Sequence, residues 1–266
     1  MNINSVGAGM LGKRRRVPTN YTPVSSSAKR KDLEMVAKVV RVSNTRATIQ
    51  LPKRVIKELR TINNLSTLKR WEYGGKIDFV SDGNRVKFNV PTRFTSQQRT
   101  QVSGHIVGLF SNSYISYHTH PGISTAGGNS PLPSSTREVY VTLPSGADLE
   151  AYIKGYPGMQ ANLIADRHGY YVIDIIESAE RGQRPVPATV NRHMEWIRQQ
   201  SFFRSRVFGE DGTEYFATTL RDWKEAINGE INPHMKRMFG ISIKYYTYDE
   251  EPATVTVSRV GNSTGR

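Results

Sequence analysis

The sequence predicts an α/β chain of the α+β type, a mixed β-sheet with flanking helices, and three observations carry that prediction. Val55, Ile56, Leu59, Ile62 and Leu65 recur at three- and four-residue spacing over residues 52–69, which is the buried stripe of one amphipathic helix. Strand-like runs follow at 76–80, 86–90, 105–110 and 114–118, broken by Asp82-Gly83-Asn84 and Ser111-Asn112-Ser113. Helical patterns return at 146–154 and after residue 190, so the strands read as a sheet covered by helices.

Composition narrows the chemistry. A chain of 266 residues suits one catalytic-sized domain with extensions, since domains usually run about 100 to 200 residues. The absence of cysteine excludes disulfides, thiolate metal sites and cysteine nucleophiles, so any metal must be held by His, Asp or Glu. No run approaches the roughly 20 apolar residues of a membrane helix, and residues 1–12 lack the charged and apolar regions of a signal peptide. A soluble intracellular protein is expected, cytoplasmic or nuclear, with no membrane partner.

Taken in order, residues 1–31 form a basic arm. Lys13, Arg14, Arg15, Arg16, Lys29, Arg30 and Lys31 supply half of the net charge of +14, with no acid among them and little to bury. This composition predicts disorder, with a role in localisation or in binding nucleic acid or an acidic partner. A domain is expected over 32–182. It begins with strands at 35–42 and 47–50, then the helix opened by Pro52, a residue suited to a first helical position. After the four strand-like runs, a loop rich in Gly, Ser and Pro covers 122–136. A strand at 139–143 and a short helix at 146–154 follow, and Gly155 and Pro157 end that helix. A hairpin then turns through Asp166-Arg167-His168-Gly169. Linker-like composition at 181–187 introduces a mostly helical extension over 183–266. Its helices are expected at 190–203, at 220–227 and from Asn232-Pro233 to Gly240, before one strand at 241–248. Gly261-Asn262-Ser263-Thr264-Gly265 matches the nucleophile-elbow spacing, but no strand closely precedes it and no helix can follow, so it carries no function.

Three short segments carry chemistry. In Tyr117-His118-Thr119-His120-Pro121 alternate strand residues face one way, so His118 and His120 present two imidazoles side by side, and Pro121 ends the pairing. By itself the pattern is more often incidental than metal-binding. In Pro144-Ser145-Gly146-Ala147-Asp148-Leu149, Ser145 is placed to cap a helix and Asp148 sits in its first turn, where a negative charge suits the helix dipole. A capped first turn also fixes a carboxylate as a third ligand. Glu72, in Trp71-Glu72-Tyr73-Gly74-Gly75, stands where the first helix hands over to the sheet. Alone, it would read as a solvated surface residue.

The order of these segments resembles the JAMM (MPN+) family of zinc metallopeptidases: a helix, Glu-x-Gly-Gly opening a strand, His-x-His-Pro after a second strand, Pro-Ser-x-x-Asp-Leu opening a helix, then a Gly-turn hairpin. The resemblance covers about residues 47–176, and the spaced form is similar to JAMM-domain proteins of large DNA viruses. It implies that His118, His120 and Asp148 hold Zn2+, that Glu72 is the general base, and that Ser145 supports the oxyanion. It further implies hydrolysis of an amide, often the isopeptide bond of ubiquitin or a ubiquitin-like protein. One departure is that Ser145 lies 25 residues beyond His120, a longer spacing than in the most familiar members. Glu138, in Ser135-Thr136-Arg137-Glu138, is therefore a rival third ligand, although it lacks the Pro-Ser start and the Asp-Leu helix entry. His105, His168, His193 and His234 are expected in packing or surface roles. The competing readings are a non-catalytic scaffold of the MPN fold and a virion structural or nucleic-acid-associated protein acting through its basic arm.

Overall fold

The computed structural model describes residues 36–42, 46–82, 85–88, 92–95, 114–123, 136–176, 185–203, 205–209 and 212–258. The basic arm, the strand expected at 105–110 with His105, most of the 122–136 loop and the pentapeptide 261–265 lie outside the described residues. Among the described residues the fold is α+β. No helix there is long and apolar enough to cross a membrane.

The amino-terminal strands β1 (Val36–Val42) and β2 (Arg46–Gln50) pair antiparallel and lead into α1 (Lys53–Lys69). The apolar stripe of α1 behaves as its spacing predicts, with Val55, Ile56, Leu59 and Ile62 all buried. Pro52 precedes the helix instead of opening it. It stays extended at ψ 141° and caps α1 with its carbonyl, which accepts from the N–H groups of Val55 and Ile56. The next strands are β3 (Tyr73–Asp82), β4 (Arg85–Phe88), β5 (Thr92–Thr95), β6 (Tyr114–Thr119) and β7 (Glu138–Val141). Then come α2 (Gly146–Gly155) and the hairpin of β8 (Met159–Ala165) and β9 (Gly169–Asp174).

The hairpin turn is held by Asp166, whose Oδ1 accepts from the N–H groups of His168 and Gly169 at 2.8 and 2.7 Å. Glycine is required at 169, because a Cβ there would lie 2.2 Å from the Tyr246 carbonyl oxygen. The strand that presses against it belongs to the carboxy-terminal segment.

That segment departs most from the expected extension. It carries α3 (Pro187–Arg198), a 3-10 turn (Ser201–Phe203) and β10 (Arg206–Phe208) with β11 (Glu214–Thr219). A continuous helical run follows, made of α4 (Leu220–Lys224), a π-helical stretch (Glu225–Ile231) and α5 (Asn232–Phe239). The run ends at Gly240 in the left-handed conformation, as its sequence predicts. Asn232-Pro233 does not start a separate helix. The widened turn lets the Asn232 N–H reach Ile227 O, so proline, which has no N–H to give, is accommodated inside the run. Finally β12 (Ser242–Thr247) pairs with β9, and β13 (Thr254–Ser258) pairs with β2. One strand is legible in the local pattern of this segment, yet four form. Their partners are remote strands, which local periodicity cannot specify.

The main sheet runs β12-β9-β8-β6-β3-β4-β1-β2-β13, with β5 also on β3, and β7, β11 and β10 form a second small sheet. All pairs in the main sheet are antiparallel except β6 with β8. Both faces of β8 and β9 are buried, which explains their nearly continuous apolar sequence. Ala161, Leu163, Tyr170 and Val172 pack toward α1, β2 and β13. Ile164, Tyr171 and Ile173 pack toward α2, α3, β7 and the α4–α5 run. The two cores therefore share one sheet.

Candidate metal centre

The centre lies where β6 ends. Its last residues are fixed from three directions, by two backbone partners and one side-chain amide. Gly74 of β3 pairs with His118, the His120 N–H donates to Ala165 O at 2.8 Å, and Asn63 of α1 donates to both His120 O and Ala165 O at 3.0 and 2.9 Å. Thr119, between the two histidines, points to the other side of the strand and accepts from the Tyr73 N–H at 2.9 Å. The alternation read from His-x-His is thus realised: the two rings stand on one face, 5.1 Å apart, with Nε2 atoms separated by 3.2 Å.

Asp148 comes to this face from α2. The helix start is a full capping box, with Ser145 accepting from the Asp148 N–H at 3.2 Å and Asp148 Oδ2 accepting from the Ser145 N–H at 2.6 Å. Ser145 Oγ also donates to Oδ2 at 2.8 Å. Held in this way, Asp148 places Oδ1 3.1 Å from His118 Nε2 and Oδ2 3.8 Å from His120 Nε2. One ligand atom from each of His118, His120 and Asp148 falls within 4.8 Å of the others. The side chains are 13%, 12% and 14% exposed, so the cluster is sheltered yet open to water.

The electrostatics suit a cation. Burial raises the Asp148 carboxyl, but the charge and hydrogen bond of His118, the charge of His120 and the Ser145 backbone N–H together hold it well below the usual carboxylate range. Burial also lowers His118, and there the balance is reversed by Asp148, by the charge of Glu72 and by a hydrogen bond to Asn162, leaving it raised. His120 is pushed down to about 4, mainly by burial and also by His118, against the pull of Asp148. A neutral His120 and an ionised Asp148 are the forms that bind metals. Two imidazoles and one carboxylate are donor types that could together hold a metal ion.

Glu72 is buried, at 6% exposed. Arg70 in the left-handed conformation ends α1, and Ser66 then holds Trp71 at both its N–H and its carbonyl, which turns the chain into β3. Glu72 immediately precedes β3, two residues before the Gly74 that pairs with His118. Its charge is felt at His118. Glu138 begins β7 opposite Thr219 with its side chain exposed, and the three-ligand cluster found among the described residues does not include it.

Comparison of the chain with protein-family models, with curated proteins and with solved structures returns no match.

Sequence reading missed the residues that orient the ligands. Thr142 Oγ1 lies 2.9 Å from His120 Nδ1, and its partner nitrogen Nε2 faces the cluster. Asn162, which bonds His118, is itself fixed by Ser116 Oγ at 2.8 Å. A weak signal existed for Asn162, a polar residue within the apolar run Met159–Ala165. None existed for Thr142, one of many threonines, within the strand expected at 139–143.

Proposed function

We propose that the chain is a zinc-dependent amide hydrolase of the JAMM type, acting on a peptide or isopeptide bond. The observation that carries this reading is the convergence of His118, His120 and Asp148 within 4.8 Å, from two elements whose sequence segments lie far apart. A zinc ion held by these residues would bring a bound water's pKa to about 7 and polarise the substrate carbonyl. Glu72, buried beside the histidines, takes the proton of the attacking water and passes it to the leaving amine. Ser145 supplies the hydroxyl nearest to Asp148. It donates to the carbonyl oxygen by rotating its O–H off Asp148 Oδ2, while its Oγ still accepts from the Asp148 N–H. By the resemblance of the motifs, the substrate class is a conjugate of ubiquitin or a ubiquitin-like protein.

The test is elemental analysis of the purified chain, followed by turnover of isopeptide-linked and linear peptide substrates with and without a chelator. One zinc per chain and chelator-sensitive cleavage are expected. Absence of zinc after metal loading would overturn the reading, and full zinc occupancy without turnover on any substrate would leave a metal-binding scaffold.

A further inference from the structure

Residues 183–266 read as an appendage, yet the described residues among them contact the surroundings of the metal centre at five points. β11 pairs along the whole of β7, from Thr219 opposite Glu138 to Phe216 opposite Val141, and so fixes the strand that delivers Thr142. Trp223, fully buried, donates through Nε1 to Tyr171 OH at 2.8 Å, and that hydroxyl donates to Thr142 O at 2.6 Å. Thr142 Oγ1 then meets His120 Nδ1 at 2.9 Å. Tyr215 OH donates to Pro121 O at 2.7 Å, immediately after His120. On the Asp148 side, Arg198 reaches Pro144 O at 3.4 Å, and Asn191 packs so closely on Gly146 that a Cβ there would lie 2.6 Å from its Oδ1.

A histidine binds metal through one nitrogen only when the other carries the proton, and the partner of that second nitrogen decides which it is. For His120 that partner is the Thr142 hydroxyl, on the residue that follows β7. Its carbonyl is clamped by Tyr171, whose hydroxyl is oriented by Trp223.

We infer that the carboxy-terminal segment is the outer shell of the metal centre, in which Trp223 and Tyr171 hold Thr142 by its backbone carbonyl, the Thr142 hydroxyl in turn orients the His120 ring, and Tyr215 anchors the turn behind it. The inference rests on the zinc reading above. Thr142, Tyr171, Trp223 and Tyr215 are positioning residues, since each acts through His120 or its backbone. A zinc site is then obtained only when the segment beyond residue 183 is folded onto the sheet.

The experiment uses the full chain with Thr142→Val, Thr142→Ser, Trp223→Phe and Tyr215→Phe. Trp223→Phe deletes one N–H and keeps the aromatic packing on Phe203 and Phe216. Three quantities are read: the zinc dissociation constant by chelator competition, the His120 tautomer from imidazole 15N shifts of the metal-free chain, and the melting temperature. Thr142→Val is expected to weaken zinc by about 10 to 100-fold, the usual size of outer-shell losses, with Thr142→Ser restoring it. Trp223→Phe and Tyr215→Phe should weaken zinc in the same direction by less, and Thr142→Val, which removes the partner of His120 Nδ1, should mix the His120 tautomers. Lower melting temperatures with zinc affinity and tautomer unchanged would reduce these residues to packing and overturn the inference. If the unaltered chain takes up no zinc, the hydrolase reading falls, and the tautomer measurement alone then decides the Thr142 to His120 contact: the same fixed tautomer in Thr142→Val as in the unaltered chain overturns it.

Discussion

Asp148 Oδ2 accepts both the backbone N–H and the hydroxyl of Ser145, at 2.6 and 2.8 Å, so the residue that starts the helix also aims the carboxylate. Ser145→Ala should therefore act twice. Loss of the cap costs about 1 kcal/mol of stability, read as a lower melting temperature. Zinc affinity should fall as well, because one of the two donors that orient Oδ2 is gone. If turnover at saturating zinc drops by a further factor of about 10² to 10³, the hydroxyl also serves the carbonyl oxygen; if turnover per bound zinc is unchanged, its role ends at Asp148.

Removing ligands should separate the cluster from its sequence rival. His118→Ala, His120→Ala and Asp148→Ala are each expected to abolish stoichiometric zinc in elemental analysis. Glu138→Ala, at an exposed position on β7, should keep it. The opposite pattern at 138 and 148 would remove Asp148 from the ligand set.

Glu72 lies beside the histidines without belonging to the cluster. Glu72→Gln is thus expected to retain zinc and fold, with turnover down by about 10² to 10⁴-fold, the usual contribution of a positioned general base. A variant with unaltered kcat would show that another group accepts the proton.

Stability should fall with rising pH on account of Asp174. Burial pushes its carboxyl up to about 6 from an ordinary 3.8, against the Thr256 N–H, Lys244, Ser242 and Lys236. Between these values the folded chain holds a proton that the unfolded chain releases. The destabilisation is therefore absent at pH below about 4 and complete above about 6. A shift of this size corresponds to about 3 kcal/mol as an order of magnitude. Asp174→Asn, which preserves an acceptor for the Thr256 N–H at 2.7 Å, removes the titration. Urea unfolding at pH 4 and pH 8 should show the variant gaining about 3 kcal/mol relative to the unaltered chain between the two. A constant difference at both pH values would show that Asp174 ionises normally.

Local pattern alone determined the elements that face one partner continuously. The α1 stripe, the His118 and His120 alternation and the Ser145 to Asp148 helix start follow from periods of 3.6 and 2 and from capping chemistry, which act within a few residues. Only the tertiary structure decided which strands those elements meet. The Thr254–Ser258 run pairs with β2 some two hundred positions earlier, and Trp223 reaches His120 through Tyr171 and Thr142. Such pairings are selected by burial on both faces of one sheet and by the need to satisfy buried polar groups. A threonine that orients a ligand looks in sequence like any other threonine. Its role exists only once the chain has closed around it.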